Sequence, residues 1–378
     1  MTLISLIYWT LVVSSGFYLM LMLVLTSGWY KLKGATKTSI SDNIKVSIVV
    51  AVRNEEKNIA KLLESFEKQN YPKENTEIII VDDHSTDNTV GEIEKFIFEK
   101  KIELNLVHAT GHGKKKTLSE GFLLANGELI ITTDGDCEMP AGWIGSFVSF
   151  YRKNRPALIF GPVVYREEKT LLQKLFSLDF LSLVASGAAS SGHGMPFMGN
   201  GANLAFSTEA YNSIAGKIGS ENYVSGDDVF IIHKMIEKFG AKKVLFLKNA
   251  DSMVYTQAPK TANEFINQRI RWASKAKGYK NKWAIFVSLA VFFFNLMLVT
   301  SLLCGIFINW FLAVYVLFIV FKFLLDIPLL YEFSGFANKR KLLRWLFPFE
   351  FIYPFYIVFA AFYGFFAKFT WKDRKNLA

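Results

Sequence analysis

Residues Leu3 to Leu25 run almost wholly apolar and carry no charge. A helix of that length spans a bilayer, because about 20 apolar residues at 1.5 Å each cross the hydrocarbon layer. A cleaved signal peptide has a positive first region and a shorter apolar core, and this stretch has neither. Lys31, Lys33 and Lys37 follow it, so the positive-inside rule puts the N-terminus outside and the continuing chain in the cytosol. The composition agrees with an anchored protein. Apolar residues make up 51%, with 36 Phe, which is too greasy for a wholly soluble chain. The net charge is +10, but the basic residues sit beside apolar spans, which favours a membrane surface and argues against nucleic acid as the partner.

Past this span the pattern changes. Lys45 to Val52 is a β-branched run, a buried strand, and ends in Arg53-Asn54-Glu55-Glu56. Ile59, Leu62, Leu63 and Phe66 recur at helical spacing. Glu77 to Val81 reads as a second strand, running into Asp82-Asp83-His84, with Ser85 or Thr86 as the cap of a helix through Ile93 and Phe96. Ile102 to Val107 reads as a third strand, followed by Gly113-Lys114-Lys115-Lys116 and a helix over about Leu118 to Ala125. Leu129 to Thr133 is a fourth strand that ends in Asp134-Gly135-Asp136. Strands alternating with helices predict an α/β domain with a mostly parallel sheet covered on both faces.

Ala157 to Val164 reads as a further strand. Leu171 to Val184 is a helix, lying either at a membrane surface or in a core, and Ser186 to Gly201 reads as a small-residue loop. Gly226-Asp227-Asp228 opens a helix, and Gln268-Arg269-Ile270-Arg271-Trp272 lies on a basic one. From Trp283 the chain is apolar again, with candidate spans at Ala284 to Ile308, about Trp310 to Leu330 and about Leu346 to Phe366. Lys322 and Asp326 are four apart in the second of these, close enough to pair. Flanking basic residues put the loops in the cytosol except at the last segment. A full crossing there would leave the basic tail Lys368 to Lys375 outside, so that segment either overrides the rule or is re-entrant or interfacial. The organisation expected is 1–30 as a membrane helix, 45–282 as the α/β domain and 283–378 as further membrane or interfacial helices.

The acidic residues define the chemistry. Asp82-Asp83 and Asp134/Asp136 each end a predicted parallel strand, where open α/β sheets place ligands. Two hard carboxylates with a glycine between them suit Mg²⁺ or Mn²⁺ shared with a diphosphate. A diphosphate leaving group needs its growing charge neutralised by a metal and nearby Lys or Arg, and an acceptor hydroxyl needs a carboxylate to take its proton. No P-loop, dinucleotide-binding glycine motif or nucleophile elbow is present. Cys137 and Cys304 form no disulfide framework or zinc spacing, and Cys137 reads as a small buried residue. The histidines at 84, 108, 112, 193 and 233 show no metal-ligand spacing.

The ordered set Val52-Arg53-Asn54-Glu55, Val81-Asp82-Asp83, Gly113-Lys114-Lys115, Thr133-Asp134-Gly135-Asp136, Gly201-Ala202-Asn203-Leu204, Gly226-Asp227-Asp228 and Gln268-x-x-Arg271-Trp272 resembles the family 2 glycosyltransferases. Within them it resembles the membrane-integrated branch of cellulose, chitin, hyaluronan and poly-N-acetylglucosamine synthases and ceramide glucosyltransferases. The resemblance implies a GT-A fold, Rossmann-like with a mixed, mostly parallel sheet, and an inverting single displacement from a nucleotide sugar, usually a UDP-sugar. It implies that Arg53, Asn54, Glu55 and Asp83 contact the nucleoside with Asp82 beside them, and that Lys114 or Lys115 approaches the phosphates. Asp134 would touch the ribose or phosphate side and Asp136 would hold the Mg²⁺ or Mn²⁺. Asp228 would be the base, with Asp227 as second choice. Gln268, Arg271 and Trp272 would cover the diphosphate, and Gly201, Asn203 and Trp272 would line the acceptor site. The sequence departs from the family in Asp227-Asp228, where Glu-Asp is usual, and in Asp-Gly-Asp, where Asp-Ala-Asp is usual. The expected activity is transfer of one sugar to a lipid or lipid-linked acceptor by an inner-membrane protein whose catalytic domain faces the cytoplasm. The alternatives are a processive polysaccharide synthase and an inactive sugar-nucleotide-binding scaffold.

Overall fold

Strand β1 (Val46–Val52) is an interior strand of the main sheet in the α/β part of the protein. In the computed structural model the described residues are 3–34, 44–99, 103–216, 227–366, 370–371 and 374–375. The chain divides into two compact units. One comprises Leu32–Glu167 and His193–Gln257; the other comprises Met1–Lys31, Glu168–Gly192 and Ala258–Ala378.

The first unit is an α/β layer structure. Beside β1 are β2 (Thr76–Asp82), β3 (Asn105–His108), β4 (Leu129–Asp134), β5 (Leu158–Phe160), β6 (Val163–Tyr165), β7 (Leu204–Ser207), β8 (Val244–Phe246) and β9 (Val254–Thr256). The main sheet has the order β3-β2-β1-β4-β7-β5-β8, and β6 pairs with β9 in a small parallel sheet of its own. Only β7 runs antiparallel to its neighbours in the main sheet. Ile48, Val49 and Val50 are fully buried, as a β-branched run covered on both faces requires. The register pairs Val52 with Asp82 and Ala51 with Asp134, so β1, β2 and β4 end at one level and their polar termini share one edge. The third strand begins later than its expected start, and Ile102 lies outside the described residues. The run expected as one strand over Ala157 to Val164 divides into β5 and β6, which belong to different sheets. Pro162 has no N–H to give a ladder, and the Gly161 N–H is spent on the Asn203 carbonyl at 2.8 Å.

The helices of this unit are numbered with those of the whole chain. They are α2 (Ile59–Glu67), α3 (Thr89–Phe98), α4 (Lys114–Leu124), α5 (Trp143–Asn154), α7 (Thr208–Asn212) and α8 (Asp227–Phe239). Helix α2 buries Ile59, Leu62, Leu63 and Phe66, the expected stripe. Helix α4 starts earlier than expected, at Lys114. It lies close on the sheet because Gly121 has no side chain: a Cβ there would come within 2.5 Å of Val49 Cγ1. Asn88, and not Ser85 or Thr86, precedes α3, and its side chain makes no cap.

The second unit is helical: α1 (Leu3–Lys31), α6 (Leu171–Ser191), α9 (Ala262–Ser274), α10 (Lys282–Gly305), α11 (Trp310–Phe336), α12 (Leu346–Glu350) and α13 (Tyr353–Phe366). Helices α1, α6, α10 and α11 are long and apolar enough to cross a membrane. Helix α1 packs against α6, α10 and α11. Helix α6 takes in Ser186 to Ser191, which had read as loop. The small residues there serve close helix packing: a Cβ on Gly192 would lie 1.9 Å from the Gly28 carbonyl. The last apolar segment is not straight. Residues Arg340–Glu350 and Tyr353–Gly364 meet at 79°, a broken span or a re-entrant turn. Most of the basic tail lies outside the described residues.

Lys322 pairs with Asp326 at 2.6 Å, as the spacing of four suggested, and also with Glu350 at 2.5 Å, the last residue of α12. Tyr18 of α1 donates to Asp326 at 2.6 Å. Partners so distant in sequence leave no spacing signal, and Glu350 and Tyr18 were not anticipated.

Candidate active site

The loops after β1 and β2 form one interlocked structure. Arg53 donates through Nη1 to the carbonyls of Asp83 at 2.6 Å and His84 at 2.9 Å. Asn54 stands in left-handed conformation, with φ 52°; its N–H donates to Ser85 Oγ at 3.0 Å, and its side-chain oxygen accepts from Thr86 N at 2.9 Å. The Glu55 N–H donates to Thr89 Oγ1 at 2.7 Å. Arg53 and Asn54 therefore build the loop as well as bordering it.

The two adjacent aspartates do different work. Asp82 is buried and accepts from the Ser85 N–H at 3.2 and 3.3 Å, so it holds its own turn. Asp83 is 1% exposed, and both its oxygens accept from the Gly113 N–H at 3.1 Å, which ties β2 to the start of α4. Lys114, the first residue of α4, forms an ion pair with Asp134 at the end of β4. Lys115 is half-buried one position further on.

Asp136 lies beyond the end of β4 and is half-buried. Thr256 at the end of β9 donates to its Oδ2 at 2.9 Å, which orients the carboxylate without neutralising it. A Cβ on Gly135 would stand 3.0 Å from Glu55 Cγ, so the glycine lets the β1 and β4 loops approach closely. Asp134 and Asp136 offer hard oxygens, as a Mg²⁺ or Mn²⁺ requires, and the neighbouring soft group is not a competing ligand. Burial, together with the charges of Asp136 and Asp134, pushes the Cys137 thiol well above its ordinary value, so it stays protonated.

Asp228, near the start of α8, accepts from the Gly201 N–H at 3.3 Å and from the Val229 N–H at 2.8 Å. Gly201 is fixed in turn, since Thr132 of β4 donates to its carbonyl at 2.9 Å. A line of hydrogen bonds thus runs from the central sheet to the Asp228 carboxylate. The Asp227 side chain and Gly226 lie outside the described residues.

Asn203 has no exposed surface. Its amide donates to the carbonyls of Pro162 and Ser252, both at 2.8 Å, and accepts from Trp143 Nε1 at 2.9 Å. These three bonds brace β6, α5 and the turn before β9, so the residue expected to line an acceptor site also has a structural role.

In the helical unit, Gln268, Arg271 and Trp272 lie on α9. The residue among them that sequence reasoning passed over is Arg269. It is buried and pairs with Asp179 of α6 at 2.6 Å; it also donates to Gln268 at 2.6 Å. Its guanidinium lies 4.3 Å from the Trp272 ring centroid and 4.5 Å from that of Phe265.

The histidines add a grouping that their spacing in the sequence does not show. His84 and His112, 28 positions apart, bring their ring centroids to 4.2 Å, and with Asp83 they place one ligand atom each within 4.8 Å of the others. Parallel strand order brings them together, which no local spacing announces.

The model of "Glycosyl transferase family 2" matches residues 47–199, and that of "Glycosyl transferase family group 2" matches residues 129–367. A dolichyl N-acetyl-α-D-glucosaminyl phosphate 3-β-D-2,3-diacetamido-2,3-dideoxy-β-D-glucuronosyltransferase of Methanococcus voltae is 27% identical over 70% of this chain and 84% of its own length. A dodecaprenyl-phosphate galacturonate synthase of Rhizobium johnstonii is 30% identical over 35% of this chain and 40% of its own. The structure of the mannosyltransferase PcManGT from Pyrobaculum calidifontis, in complex with GDP-Man and Mn²⁺, aligns over 94% of this chain and 99% of its own with a TM-score of 0.62. At 17% identity that likeness is one of fold.

Proposed function

Since the chain belongs to the family 2 glycosyltransferases and is a glycosyltransferase, we propose that it moves one sugar from a nucleotide sugar, a UDP-sugar by preference, to the hydroxyl of a lipid or lipid-linked acceptor, with inversion. The observation that carries this reading is the shared edge of β1, β2 and β4, where Asp83, the Lys114–Asp134 pair and Asp136 stand together. Arg53, Asn54, Glu55 and Asp83 border the nucleoside, and Lys114 and Lys115 face the phosphates. Asp136, with Asp134 beside it, would hold a divalent cation. That cation, when bound, neutralises the charge that develops on the leaving diphosphate.

Asp228 is the base. The acceptor oxygen forms its bond to the anomeric carbon on the face opposite the diphosphate. The bond from that carbon to the diphosphate oxygen breaks, and its electron pair leaves with the nucleoside diphosphate. The hydroxyl proton passes to the Asp228 carboxylate. Backbone N–H groups on both of its oxygens hold the carboxylate in one orientation, which favours a fixed proton path. The roles of Gln268 and Arg271 toward the diphosphate and of Trp272 toward the acceptor rest on the sequence motif, as does any share of Asp227 in catalysis. The four apolar helices support an integral protein of the inner membrane, and the basic residues beside them support a cytoplasmic catalytic unit. The lipid-linked substrates in the names of the relatives support a lipid-type acceptor.

Donor binding and turnover in two variants test the roles. Asp136→Ala is expected to abolish metal-dependent donor binding. Asp228→Asn is expected to keep donor binding and lose at least 10²-fold in transfer. Near wild-type turnover in Asp228→Asn would move the base elsewhere, with Asp227 next.

A further inference from the structure

Asp83, His84 and His112 are a ligand set of a different chemical kind from Asp134 and Asp136. Two imidazoles and one carboxylate suit a borderline ion such as Zn²⁺, whereas paired carboxylates suit Mg²⁺ or Mn²⁺. The three ligand atoms lie within 4.8 Å of one another, and His84 Nδ1 is 3.5 Å from Asp83 Oδ1. Bonds of about 2.0–2.2 Å to a central ion ask for a somewhat tighter set. Both imidazoles are exposed, while Asp83 is buried and held by the Gly113 N–H, so any adjustment falls to the two histidines. The cluster is one fixed carboxylate with two adjustable arms.

We propose that Asp83, His84 and His112 bind a Zn²⁺-like divalent ion at a site separate from the Asp134/Asp136 cation. Bound there, the ion claims the carboxylate that the nucleoside of the donor needs, so it competes with the donor; this clause rests on the donor reading of Asp83 given above.

The test is a Zn²⁺ titration of the full chain in lipid nanodiscs by calorimetry, in the presence of excess Mg²⁺ to fill hard-cation sites. Wild type is expected to bind one Zn²⁺ that the His84→Ala/His112→Ala chain binds at least 30-fold more weakly. Single His84→Gln and His112→Gln variants are expected to lie between. An unchanged thermal midpoint identifies a folded variant. Equal Zn²⁺ affinity in wild type and double variant overturns the site. The donor clause has its own readout, the donor KM with and without Zn²⁺. A KM that rises in wild type and not in the double variant supports it. Zn²⁺ bound at the histidines with an unchanged KM would leave the metal site standing and remove Asp83 from the nucleoside.

Discussion

At the scale of single residues the chain separates side chains that do chemistry from side chains that hold others in place. Asp228 and Asn203 show the contrast. Both belong to motifs that resemble the family, but Asp228 is half-buried on a helix start, while Asn203 is fully buried and hydrogen-bonded through both ends of its amide. Asn203→Ala leaves two carbonyls and an indole N–H buried without their partner, which costs about 2–4 kcal/mol. The expected readout is a markedly lower unfolding midpoint, with donor and acceptor KM little changed in the fraction that folds. An acceptor role would give the opposite pattern. Cys137 is a second case. Its raised thiol and burial predict resistance of the native protein to iodoacetamide at neutral pH, by mass spectrometry, and near-normal turnover in Cys137→Ala.

At the scale of elements, β1, β2 and β4 were legible from sequence because β-branched runs ending in charge have one reading. The carboxylates at their ends were legible for the same reason. Strands β7, β8 and β9 were not, because each is three or four residues long and too short for a period. Helix α6 was misjudged at its end because Gly, Ser and Ala read as loop until a close-packed neighbour is known. The pairing of Arg269 with Asp179 was invisible because its partners are 90 positions apart. Three groups around the sheet carry a pH prediction. Burial acts to raise the Asp87 carboxyl, but the Thr89 hydroxyl and nearby N–H groups outweigh it and leave it lowered. Glu120 is lowered by the N–H groups of Thr110 and Gly111. Carboxylates lowered in the folded state stabilise it above their unfolded values, and this contribution is lost as pH falls through the folded ones. His233 on α8 is lowered by burial, so protonation below its ordinary value also favours unfolding. Together they predict that protection in hydrogen exchange weakens on acidification, beginning near pH 6.5 for α8 and below about pH 4 around Asp87 and Glu120. Protection constant down to pH 3 would contradict this.

At the scale of the whole molecule, the division of charge is the main fact. The helical unit carries the entire basic excess of the chain, and the α/β unit is close to neutral. The sequence already set the basic residues beside the apolar spans, and the division into units shows that the whole excess falls there. That unit also buries the triad of Lys322, Asp326 and Glu350, joining α11 to the bend before α13. Lys322→Met strands two buried carboxylates and is expected to cost about 3–5 kcal/mol, read as a lower midpoint in nanodiscs; an unchanged midpoint would deny the triad its bracing role. The account as a whole turns on what the enzyme makes. Purified protein in native-lipid nanodiscs, given Mn²⁺, radiolabelled UDP-sugars and a membrane lipid extract, is predicted to place label in one discrete lipid band that is absent with Asp228→Asn. Label in a long water-soluble ladder, or no label in any product, would contradict it.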